Sequence, residues 1–121
     1  MEYVLQTQGL TKSYKSNRVL TDVTMNVKRG DIYGFVGENG SGKTTVIRLI
    51  TGLISPCAGS FKLFGVENRS SGIGKARSRI GAIVETPSIY LNMSAYDNLK
   101  TQSIILGIDD NEKILSVLVN V

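Results

Sequence analysis

Histidine is absent from the 121 residues, and cysteine occurs once, as Cys57. Together these facts exclude zinc sites of the usual kinds, Ser-His and Cys-His nucleophile pairs, a histidine general base and any internal disulfide. Cys57 follows Pro56 in "SPCAGS" and reads as a loop or partly buried thiol, because nothing beside it in sequence activates it. Long apolar runs are missing too. The nearest, around residues 104–108 and 114–119, fall far short of the ~18 residues that a membrane-crossing helix needs. The opening "MEYVLQTQGL" lacks a basic region followed by an apolar block, so no secretory signal is expected and the chain is expected to be cytosolic. The net charge is +4, and much of the excess lies in Lys62, Arg69, Lys75, Arg77 and Arg79 against Glu67. No aromatic platform interleaves those cations. They read as a solvated face, and no nucleic-acid partner is expected.

What is present fits one modest domain of alternating elements. Residues 3–10 form a plausible first strand. Val23, Met25 and Val27 alternate with Thr24 and Asn26, the period of a half-buried second strand. After a turn at Arg29-Gly30-Asp31, "IYGFV" (32–36) reads as a short buried strand running into a glycine loop. Val46, Ile47, Leu49, Ile50 and Leu53 then recur at helical spacing, with Gly52 and Pro56 as the stop. "SFKLF" (60–64) reads as a strand, 66–79 as loop with a short helix near 75–79, and "IGAIV" (80–84) as another buried strand. Ser94 with Asp97 three residues later caps a helix that ends at Gly107, and a further helix begins near Asp110. That last helix is still apolar at Val119 and Val121, which reads as a chain that has been cut.

The loop between the 32–36 run and the following helix is "GENGSGKTT". It matches G-x-x-x-x-G-K-[ST] in the strand-loop-helix setting that gives this pattern meaning. Glycines let successive backbone N–H groups curl inward onto phosphate oxygens, and the helix start adds partial positive charge. Lys43 can reach the β- and γ-phosphates, and Thr44 offers a hydroxyl to Mg²⁺. "GIGKAR" (72–77) has an arginine where a dinucleotide-binding turn wants its third glycine and carries no weight. The guanine-reading Asn-Lys-x-Asp element of GTPases is absent.

With its flanks, "TKSYKSNRVL" ahead and "GENGSGKTTVIRLITGLISPCAGSFKLFG" onward, the chain resembles the ATP-binding subunit of ABC transporters. The resemblance covers essentially the whole chain and implies several things. The fold is α/β: a P-loop NTPase core with a parallel sheet plus an antiparallel β subdomain, truncated in the α-helical subdomain. Residues 1–121 are then the N-terminal portion of an ABC-type ATP-binding domain. Tyr14 stands where the family stacks an aromatic on adenine, the alternative being a strand-edge aromatic packed on the core. Asn39, Gly40, Ser41, Gly42, Lys43, Thr44 and Thr45 form the phosphate cradle. The cofactors are ATP and Mg²⁺. The partners are transmembrane permease subunits and a second ATP-binding subunit, and the place is cytoplasmic, at the inner face of the cell membrane.

After "IGAIV" the family usually places a glutamine that touches the Mg²⁺ and γ-phosphate region, and this sequence has Glu85. An amide is neutral, whereas a carboxylate could ligate Mg²⁺, directly or through water, and would repel an unscreened γ-phosphate. Thr44 and Glu85 are therefore the candidate metal ligands, with a surface-loop role as the alternative for Glu85. "IGAIVETPSIYLNMSAYDNL" resembles the branch serving bacitracin and lantibiotic export or self-protection.

The family's signature, its Walker B strand with catalytic glutamate and its switch histidine have no recognisable counterpart here. "IILGIDD" (104–110) imitates a Walker B, but Ile104 and Ile105 continue the preceding helical run and Gly107 suits its end. The expectation is an ATPase subunit whose given chain binds Mg-ATP without hydrolysing it. Two other readings stay open: a non-catalytic nucleotide-binding module, and a different P-loop kinase.

Overall fold

The computed structural model describes residues 2–37, 42–108 and 110–121. They fall into two compact units, one ending at Glu85 and the other starting at Thr86.

The first unit is built on a four-stranded antiparallel sheet in the order β2-β1-β3-β4. Strand β1 (Tyr3–Tyr14) turns through Lys15 and Ser16 into β2 (Asn17–Lys28), and the two pair from Tyr3 opposite Lys28 to Tyr14 opposite Asn17. The alternation of Val23, Met25 and Val27 puts Met25 into the core, and Leu10 and Leu20 join it. Bulges break the ladder near Thr7, and the Thr7 hydroxyl repairs it. It donates to the Val23 carbonyl at 2.9 Å and accepts from the Met25 amide at 2.9 Å, so this buried side chain has both needs met. Strand β3 (Ala58–Leu63) pairs with the other edge of β1, and β4 (Val66–Glu67) closes a short hairpin on it. Gly59 has φ 76, and a Cβ there would run into the backbone of Gly9, so glycine alone lets β1 and β3 approach so closely.

Helix α1 (Lys43–Thr51) lays Val46 and Leu49 on the sheet, and α2 (Ile73–Arg77) adds Ala76. Phe61 and Leu63 of β3 complete the core. Two of the cations read as a solvated face do structural duty instead. Arg77 lies 5.8 Å over the Phe61 ring and donates from Nε to the Ile50 carbonyl at 3.1 Å, near the end of α1 where helix carbonyls lack partners. Arg79 stacks 3.8 Å from the centroid of Phe64. Arg77→Ala should therefore cost about 1–2 kcal/mol in urea denaturation, with Arg77→Lys recovering less than half, because an ammonium cannot both stack and reach. A loss indistinguishable from zero would mean the contact is incidental.

The runs at 32–36 and 80–84, read as buried strands, form no strand among the described residues. Ile32 and Val36 lie almost wholly in solvent. Apolar runs of this kind become strands only when paired and covered on both faces, and neither edge of the observed sheet takes them up. Residues 80–83 instead line a groove of about 380 Å³ beside Ile47 and Ile50 of α1.

The second unit is a helical pair, α3 (Ala95–Ile105) and α4 (Asn111–Val119). Ser94 caps α3 as expected, its hydroxyl accepting from the Asp97 amide at 3.1 Å. Asp110 caps α4 by accepting from the amides of Glu112 and Lys113. Asn111 accepts from Tyr96 Oη and Lys100 Nζ, both at 2.9 Å, which ties the helices together. Ile104 and Ile105 are helical and Asp110 is a cap, so the Walker B imitation is a helix-to-helix turn; Asp109 lies outside the described residues. Among the described residues no helix is long and apolar enough to cross a membrane.

Candidate functional site

Packing fixes α1 from below, since Val46 and Leu49 are buried in the core. Its first turn is left over for other work. The N-cap is Gly42, which provides no side-chain acceptor, and no acid occupies the first turn. The first N–H groups of any α-helix have no acceptor within the helix, so this end carries amide donors and partial positive charge, and no acid in its first turn offsets that charge. Such an end suits an anion.

Gly42 takes φ 99, a left-handed conformation, and sits where a Cβ would meet the Val19 carbonyl oxygen at 2.7 Å and Leu20 Cδ1 at 3.0 Å. The chain can therefore enter α1 only through glycine at this point. Lys43, the first helical residue, donates from Nζ to the Gly37 carbonyl, drawing its ammonium back across the loop mouth. Thr44 and Thr45 follow, both half-buried. Asn39, Gly40 and Ser41, expected to complete the cradle, lie outside the described residues.

The contact of Gly42 with Val19 also locates Tyr14. Tyr14 pairs with Asn17 at the tip of the β1–β2 hairpin, two residues from Val19, so the aromatic and the start of α1 occupy the same end of the sheet. The ring is 47% exposed and outside the core cluster, with the Lys12 ammonium 5.1 Å from its centroid. Its exposure leaves the ring able to stack on a flat ligand. Cys57 lies alongside: it is exposed, its Sγ accepting from the Ser13 amide and donating to the Ser13 carbonyl, both at 3.5 Å.

Glu85 takes φ 67, and its carboxylate pairs with Arg48 Nη2 at 3.3 Å. Arg48 went unrecognised in the sequence. The usable signal was its place four residues beyond Thr44 on the same helical face. Among the described residues no group of three or more His, Cys, Asp or Glu side chains could hold a metal ion. Mg²⁺ is commonly held by one or two protein oxygens, with water and phosphate oxygens completing its shell. The Thr44 hydroxyl and the Glu85 carboxylate are of the hard oxygen type that such an ion takes.

Residues 20–121 match the ABC transporter family. Over 118 residues the chain is 44% identical to the bacitracin transport ATP-binding protein BcrA of Bacillus licheniformis, covering 98% of this chain and 38% of that protein. It is 39% identical over 108 residues to the lantibiotic transport ATP-binding protein SrtF of Streptococcus pyogenes, covering 89% of this chain and 45% of the other. The chain thus spans about two fifths of the length of these curated relatives. Among solved structures, the ATP-binding subunit of an ABC transporter superposes with a TM-score of 0.76 at 31% identity, over 90% of this chain and 45% of that one.

Proposed function

Because the chain belongs to the ABC transporter family, we propose that it binds Mg-ATP as the nucleotide-holding part of an ATPase subunit that energises a transporter for antimicrobial peptides. The observation that carries this is the start of α1: a left-handed Gly42 at the N-cap, an acid-free first turn, and Lys43 reaching back to the Gly37 carbonyl.

Each residue has a role under this reading. The α1 amides and the backbone around Gly42 receive phosphate oxygens, with Asn39, Gly40, Ser41 and Thr45 completing the cradle. Lys43 exchanges the Gly37 carbonyl for the β- and γ-phosphates. Tyr14 stacks on the adenine, and Thr44 with Glu85 holds Mg²⁺. The ion, when bound, screens the phosphate charge. No residue of this chain is assigned to activate an attacking water, so the chain binds without turning over. The likeness to bacitracin and lantibiotic transport proteins supports the peptide-export branch, with transmembrane permease subunits and a second ATP-binding subunit as partners at the inner face of the membrane.

The test is ATP binding and turnover with Mg²⁺ on this chain and on Lys43→Ala. Removing one charge-assisted contact should weaken ATP binding about 10- to 100-fold, equivalent to ~1.5–3 kcal/mol. Equal affinity in both proteins would overturn the assignment of the loop. Lys43-dependent turnover would overturn the claim of binding without hydrolysis.

A further inference from the structure

The Arg48–Glu85 pair joins residues 37 positions apart, yet both side chains are partly exposed, at 43% and 65%. Exposed pairs contribute little to stability, so holding the fold together does not explain it. Its geometry points elsewhere. Ile80 packs against the core, and Ile83 lines the groove beside Ile47, so the segment runs along α1 before turning. The turn comes at Glu85, whose φ of 67 is a conformation that an L-residue other than Asn or Asp rarely adopts. This backbone conformation and the Arg48 guanidinium together fix the direction of the carboxylate. Arg48 lies one helical turn beyond Thr44 on the same face, about 6 Å along the axis, and helical side chains lean toward the N-terminus. The pair therefore holds the acid on the face of α1 that leads to Thr44.

We propose that Arg48 is a positioning residue for Glu85: it seats the carboxylate on the Thr44 face of α1 and offsets its charge, so that an acid is tolerated beside nucleotide phosphates even before Mg²⁺ is bound. This rests on the Mg-ATP reading above. The first turn of α1 carries no acid, and through Arg48 the Glu85 carboxylate brings a negative charge to this helix. Without its partner the carboxylate would repel phosphate until a divalent ion screened it.

The experiment is a double-mutant cycle of Arg48→Gln and Glu85→Gln, reading ATP affinity in EDTA and at saturating Mg²⁺, with Lys43→Ala and Arg48→Lys alongside. Glutamine is a good helix former, so α1 should persist. Arg48→Gln should weaken Mg-free binding about two- to fivefold and Mg-saturated binding by less than half of that factor. Adding Glu85→Gln should remove the loss, and Arg48→Lys should restore part of it. In the nucleotide-free chain, either single variant should speed amide exchange at residues 84–86, and the double variant should exceed neither. A loss equal with and without Mg²⁺, or one that persists when Glu85 is glutamine, overturns the proposal while Lys43-dependent binding stands. Binding indifferent to Lys43→Ala overturns the site reading and the proposal with it.

Discussion

Phe61→Ala is expected to cost about 3–5 kcal/mol, the range found when a large aromatic is deleted from a packed core. Phe61 is 1% exposed and stands on β3, which pairs with β1 in the middle of the sheet. Its ring shares the core with Leu10 of β1 and Leu49 of α1. The same ring carries the Arg77 guanidinium, which in turn holds the Ile50 carbonyl near the end of α1. Along the strand, its amide donates to Asn68 Oδ1 at 3.1 Å and its carbonyl accepts from the Asn68 amide at 2.9 Å. Domains of ordinary stability have only ~5–15 kcal/mol in total, so the variant should lose a large share of its stability. Urea denaturation followed by circular dichroism reads this directly. A loss below ~1 kcal/mol would show that the sheet, α1 and α2 do not share one core. Combining it with Arg77→Ala should cost less than the two losses added, because the arginine has then already lost its ring.

The elements that came through from the sequence are those whose signals are local. Alternation at Val23, Met25 and Val27 gave β2, and helical spacing from Val46 to Leu53 gave α1. Ser94 with Asp97 gave the cap of α3. The runs at 32–36 and 80–84 were apolar enough for buried strands, but apolarity states a need for partners and not their presence. Arg77 and Arg79 read as surface charge for a related reason. Composition registers a cation but not the rings of Phe61 and Phe64 that the fold sets beneath it.

The site divides in the same way. The start of α1 is legible because its signal lies in consecutive residues, Gly42-Lys43-Thr44. The seating of Glu85 is not. It depends on Arg48, 37 residues earlier, and on a left-handed turn at a position where no glycine announces one.

Gly42→Ala is the second large effect and the sharper test of the loop. Alanine must hold φ near 99 and place its Cβ 2.7 Å from the Val19 oxygen and 3.0 Å from Leu20 Cδ1. Neither neighbour can yield cheaply. Val19 is strand backbone within β2, and Leu20 is a buried core side chain. The entry to α1 must therefore rotate or lift, carrying the first-turn amides with it. Stability should fall by about 2–3 kcal/mol, from left-handed strain plus overlap. ATP affinity should fall at least ~100-fold, since a displacement near 1 Å suffices to misplace preorganised donors. Thermal unfolding beside an ATP titration separates the two losses, and Lys43→Ala supplies the comparison. The lysine variant removes a charge and leaves the backbone in place, whereas the glycine variant keeps the charge and moves the backbone. If binding depends on the backbone amides, Gly42→Ala should do the greater harm. Near-normal affinity in Gly42→Ala would mean that the lysine charge alone holds the phosphates and that the close approach to Val19 serves only the fold.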